Sequence, residues 1–100
     1  MLTISAKPSE NPPIYFYKVI HDALGNKSSE KQIYNIYIAL QNCMLLYDIK
    51  VGDFDGFYLS DDKLTFEFHF NLIITNNDIV LKIEFTNNSY NCLAKPCSFN

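Results

Sequence analysis

Between residues 63 and 86, apolar and polar side chains alternate along two runs joined by Asn76-Asn77. That period of two marks a pair of half-buried strands folded back on each other. With Asn76-Asn77 as a tight turn, Ile74 faces Ile79, Leu72 faces Leu81, Phe70 faces Ile83 and Phe68 faces Phe85, all on one apolar face. The other face carries Glu67, His69 and Asn71 against Thr86, Glu84 and Lys82, with Ile73 beside Val80. Two more turn signals, Asp55-Gly56 and Asp61-Asp62, lie upstream. Taken as tight turns, they complete a four-strand antiparallel meander over residues 47–86. Leu59 then opposes Leu64, Phe57 opposes Phe66, and Phe54 joins the core face. The same register turns Tyr47, Ile49, Val51, Asp53 and Tyr58 outward.

The period changes upstream. Ser29 and Gln32 form a capping box ahead of Ile33, Ile36, Tyr37, Leu40 and Met44, which share one face of a helix. Tyr34, Ile38 and Leu45 lie off that stripe, so the helix is buried on two sides or offers one to a partner. A first helix starts at Asn11-Pro12-Pro13, with Ile14, Tyr17, His21 and Leu24 as its apolar stripe, widened by Val19, Ile20 and Ala23, and Gly25-Asn26 as its stop. Residues 14–17 also suit a strand. Residues 1–10 read as a flexible lead or, at Leu2-Thr3-Ile4-Ser5, a short strand; residues 87–100 read as an irregular tail. The expected fold is one α+β domain over residues 1–100, with two N-terminal helices on one face of the meander.

At 100 residues and 48% hydrophobic content, the chain has material for a core without staples. No apolar run approaches the roughly 20 residues of a membrane helix. The first residues lack a basic start followed by an apolar stretch, so a cytoplasmic location is expected. All three cysteines are then expected to be reduced, Cys43 as a packed thiol, while Cys92 and Cys97 bracket a short loop that oxidation would close. Every basic residue is a lysine and the net charge is −3, which argues against nucleic acid as a partner. The abundance of Asn, Ile and Tyr without Arg or Trp fits AT-rich coding.

Catalytic chemistry finds little footing. His69, between Glu67 and Asn71, falls opposite Glu84 in the expected register, an arrangement that cross-strand ion pairing explains without catalysis. His21 suits the end of the first helix, where the dipole favours a cation. Asp53, Asp55, Asp61 and Asp62 do not follow a calcium-loop spacing, and turn chemistry accounts for most of them. No cofactor or metal is expected.

What stands out is surface. Residues 48–62 hold five acids against one lysine, interleaved with aromatic residues. Tyr47, Asp48, Asp53, Phe54, Asp55, Tyr58, Asp61 and Asp62 form the expected partner-binding set, with the aromatics as anchors and the acids steering a basic protein. In size, charge and composition the chain resembles bacterial toxin-neutralising immunity proteins and phage-encoded inhibitors. That resemblance implies non-catalytic binding to a basic toxin domain, such as a nuclease, by a monomer rather than a homodimer. The alternatives are an enzyme or ligand-binding domain with a pocket between helices and sheet, and a dimeric structural or chaperone subunit joined through the second helix.

Overall fold

The computed structural model describes residues 2–6, 11–25, 27–72 and 75–96. In chain order the elements are β1 (Leu2–Ser5), α1 (Ile14–Leu24), α2 (Glu30–Leu46), β2 (Val51–Leu59), β3 (Thr65–Leu72), β4 (Asn77–Phe85) and β5 (Tyr90–Pro96). The strands form one antiparallel sheet in the order β1-β2-β3-β4-β5. Both helices contribute to a single core on one of its faces. The α+β class is as expected, with five strands instead of four.

Helix α2 follows its sequence closely. The Ser29 hydroxyl accepts the Gln32 amide at 3.1 Å, and Ile33, Ile36, Tyr37, Leu40 and Met44 are all buried. The helix ends in a Schellman motif: the Ile49 amide bonds the Met44 carbonyl and the Asp48 amide bonds that of Leu45. Asp48 takes the left-handed position with φ 57°.

Helix α1 starts two residues after Pro12, with Pro13 at its cap. Its buried residues are Phe16 and Ile20; Ile20 belongs to the widened stripe, Phe16 lies off it, and Ile14, expected inward, is 87% exposed. Two apolar stripes overlap in this short helix, and the larger ring takes the core. Phe16 lies 4.9 Å from Tyr37, 5.8 Å from Phe54 and 6.0 Å from Phe68, ring centre to ring centre. Contacts at such separations stabilise beyond the area they bury.

The strand faces are as expected, but their registers are displaced. In β3 and β4, Phe70 pairs with Ile79, Phe68 with Leu81 and Phe66 with Ile83. Asn77 is already the first residue of β4, so the connection between the strands is not the two-residue turn Asn76-Asn77. Asn76, at φ 54°, closes the connection through a bond from its amide to the Leu72 carbonyl. The expected Ile74–Ile79 and Ile73–Val80 pairs involve residues outside those described. In β2 and β3, Leu59 pairs with Phe66 and Phe57 with Phe68, because residues 60–64 form a longer loop than two aspartates alone.

Asp55-Gly56 is not a hairpin turn. Residues 51–59 are one strand, with the register shift of a β-bulge between Phe54 and Gly56. Gly56 adopts φ 147°, which favours glycine. Phe54 and Phe57 are three residues apart, so strict alternation would put them on opposite faces. The bulge turns both inward, where their rings are 6.3 Å apart.

Both ends of the sheet add a strand. Leu2–Ser5 realises the short-strand option and pairs with Val51–Phe54. Gln41 secures it from α2 by donating to the Ser5 carbonyl at 2.9 Å. The expected irregular tail instead supplies β5, paired along β4 from Phe85–Tyr90 to Ile79–Pro96. Cys92 of β5 faces Cys43 of α2 and the two form a disulfide, with Cα atoms 5.9 Å apart. The expectation of three reduced thiols is corrected here, because it was made without β5; Cys97 lies outside the described residues.

Two measurements test this architecture by urea denaturation. Phe16→Ala should cost about 3–5 kcal/mol, as large aromatic truncations in cores do, while Ile14→Ser should change stability by no more than about 0.5 kcal/mol. Reduction of the Cys43–Cys92 bridge should lower stability by about 2–4 kcal/mol. Matching midpoints with and without reductant would rule out a stabilising cross-link.

Candidate protein-binding surface

The sheet's second face, away from the helices, is built by the alternate residues of each strand. One row crosses it as Tyr58, Glu67, Lys82 and Leu93, and a second as Gly56, His69, Val80 and Lys95. Lys95 reaches Glu67 at 3.3 Å, which carries its aliphatic stem across β4. Val80 beside it is 4% exposed although it stands outside the core cluster. Lys82 pairs with Glu84 at 3.2 Å, and the Asn71 amide donates to Asp78 at 2.9 Å. Charges on β3, β4 and β5 are thus largely matched on this face.

The residues expected to bind a partner separate into three groups. Tyr47 and Asp48 lie at the end of α2, where the Tyr47 hydroxyl donates to the Cys92 carbonyl at 3.3 Å. Asp53 is buried and accepts the Thr3 hydroxyl at 2.8 Å, tying β1 to β2. Phe54 is 6% exposed and belongs to the aromatic core, so neither it nor Asp53 is available as a surface contact. Asp55, Tyr58, Asp61 and Asp62 remain as an exposed group along the second half of β2 and its following loop. Tyr58 lies seven residues along β2 from its Val51 end, about 23 Å at strand rise, so Tyr47 and Asp48 at the end of α2 do not share one compact contact with it.

Within the group, Tyr58 is 57% exposed and stands outward from the sheet. Strand β1 pairs only with Val51–Phe54, so among the described residues no strand flanks Asp55 to Leu59 on that edge. The loop beyond is held by its own side chains. Ser60 donates its hydroxyl to the Asp62 carboxylate and accepts the Thr65 amide at 3.1 Å, while the Leu64 amide donates to Asp62 at 3.0 Å. The Ser60 bond and then the Leu64 bond hold the Asp62 carboxyl below its ordinary 3.8.

Neither histidine joins a catalytic arrangement. His69 pairs with Val80 and Gly56, not Glu84, which lies opposite Thr65. His21 lies 4.0 Å from Asp22 near the end of α1, beside the stacked ring of Tyr17. Among the described residues no group of three or more His, Cys, Asp or Glu side chains gathers as metal ligands, and no helix is long and apolar enough to cross a membrane. No protein-family model matches the chain, and no curated protein or solved structure shows significant similarity to it.

Sequence reading missed Leu93, an exposed apolar residue at the far end of the Tyr58 row. Its signal was the alternation of Tyr90, Cys92 and Ala94 against Asn91, Leu93 and Lys95, short and partly polar.

The lowered carboxyl gives a pH prediction. In the folded chain Asp62 should titrate below the usual aspartate range, and Ser60→Ala should raise its midpoint toward that range, measured by NMR titration. Because the folded value is depressed, the stability it contributes is fully present above the unfolded value near 3.8 and is lost as pH falls through the folded one. Identical Asp62 midpoints in the two proteins would remove Ser60 as the cause.

Proposed function

We propose that this protein is a non-catalytic binding module of immunity or inhibitor type, which neutralises a basic protein by direct contact. A toxin domain such as a nuclease is the partner class that fits. The observation that carries the reading is Tyr58, an exposed aromatic on a rigid strand, with Asp55, Asp61 and Asp62 exposed around it. Such a tyrosine offers a large contact area with little rotamer entropy to lose, and the acids favour encounter with a cationic surface. The unflanked edge of β2 from Asp55 to Leu59 adds a backbone mode of recognition. An extended segment of the partner laid along it would continue the line of β1.

The revised contact set is Asp55, Tyr58, Asp61 and Asp62. Tyr47 and Asp48 are assigned to the helix terminus, Asp53 to its bond with Thr3 and Phe54 to the core. We take the protein to act as a monomer. A cytoplasmic location remains part of the proposal, and the Cys43–Cys92 bridge weighs against it, since cytosolic thiols are kept reduced.

The test is capture of the partner from the source organism, followed by binding kinetics on variants. Tyr58→Ala should weaken binding by about 2 kcal/mol or more, roughly 30-fold, mainly through faster dissociation. Asp55→Asn with Asp61→Asn should slow association and flatten its salt dependence. A partner whose kinetics ignore both changes would place the interface elsewhere on the molecule.

A further inference from the structure

Where the end of α1 and the start of α2 approach the β2–β3 loop and the end of β4, a cleft of about 490 Å³ opens. Pockets of roughly 300–1,000 Å³ are the usual size for small ligands. Its apolar lining comes from the buried Phe66 and Ile36, the half-buried Phe85 and Leu24, and Leu64. Leu64 is 50% exposed, an apolar residue turned to solvent at the cleft.

The polar lining is of one electrical kind. The charged residues there are Lys31 and Lys63, and no carboxylate lines the cleft. In a chain of net charge −3, this is a local reversal of sign. The nearby acids are engaged or directed elsewhere: Asp62 holds Ser60 and Leu64, Glu84 pairs with Lys82 on the other face of the sheet, and Glu30 lines a neighbouring groove. Lys63, with φ 61°, extends its ammonium to the Leu24 carbonyl at 3.4 Å, which holds the charge across the junction of helices and loop. Gln32, Asn35 and Asn87 add side-chain amides as donors.

We propose that this cleft binds a small amphipathic anion: a carboxylate or phosphate group carried on an aromatic or short aliphatic body. The lysines and amides take the anionic head, and Phe66, Phe85 and Leu64 take the body. A cation of the same shape meets two ammonium groups, and a neutral apolar molecule leaves the donors without acceptors. The site is separate from the Tyr58 surface and stands or falls independently of the protein-binding reading.

The experiment is a titration of the intact protein, followed by ¹H–¹⁵N NMR, with phenylacetate and phenyl phosphate as probes. Phenethyl alcohol, phenethylammonium and inorganic phosphate serve as controls. At least one anionic probe should saturate in about the millimolar range, shifting the side-chain amides of Gln32, Asn35 and Asn87. The better probe identifies the head group as carboxylate or phosphate. Lys63→Gln and Lys31→Gln should each weaken it by about fivefold or more, while Lys18→Gln on α1 should leave it unchanged. If Lys63→Gln disturbs the loop, Lys31→Gln carries the test, because that side chain is exposed on α2. The proposal is overturned if neither anion saturates up to about 20 mM, or if phenethylammonium binds equally well. It is also overturned if inorganic phosphate binds as tightly as phenyl phosphate, meaning an adventitious ion only, or if both lysine variants bind like the parent.

Discussion

The ring of Phe16 is the fastening on which the layered arrangement depends. It is one of two buried residues of α1, and it touches α2 through Tyr37, β2 through Phe54 and β3 through Phe68. The floor beneath it must therefore be aromatic and continuous, and a local irregularity in β2 makes it so. Without the bulge at Asp55-Gly56, Phe57 would leave the inner face and its contacts with Phe66 and Phe68 would be lost. Gly52 completes the fit. A Cβ there would come within 3.1 Å of the Phe70 ring, so its absence leaves room for that ring close to β2.

How much of this was legible in the sequence follows from parity. The β3–β4 pairing expected from Asn76-Asn77 is off by four residues and that expected from Asp61-Asp62 by two, yet the paired residues of β3 and β4 kept their faces; outside the strands, Ile49, expected outward, joins the core, and Leu64, expected inward, is half exposed. Even displacements preserve the side of the sheet while changing the partner, so the core of Phe66, Phe68, Phe70, Leu81 and Ile83 could be read but His69's neighbours could not. Asp55-Gly56 was ambiguous for a related reason. A two-residue turn and a one-residue bulge both bring Phe54 and Phe57 to the same face, and both favour glycine. Long-range pairing decides between them, since β1 needs Val51–Phe54 as one end of a strand that also reaches β3. That pairing was out of view because both helices intervene.

The same reasoning explains the candidate surface. Tyr58, Asp55, Asp61 and Asp62 could be read as exposed because they lie on an outward position, a bulge and a loop. Phe54 could not be an anchor once it belonged to the core, and Asp53 was covered on the outer face where it accepts the Thr3 hydroxyl. Strand β5 was the larger omission. With it came the cross-link to α2 and the outer row ending at Leu93, neither of which has a local signature.

Strand β1 has a consequence for how the molecule assembles. The chain makes β2, β3, β4 and β5 in succession, each pairing with the strand just before it, whereas β1 must wait until both helices have formed and returned the chain to it. Such a non-local closure comes late in folding and opens early, because the loop entropy it must overcome is large. At the other edge, β5 is covalently tethered through Cys92. The two edges therefore differ in kinetic character. Local opening of the sheet is expected to start at the β1 margin, which has no covalent tie, before it reaches the tethered β5 margin.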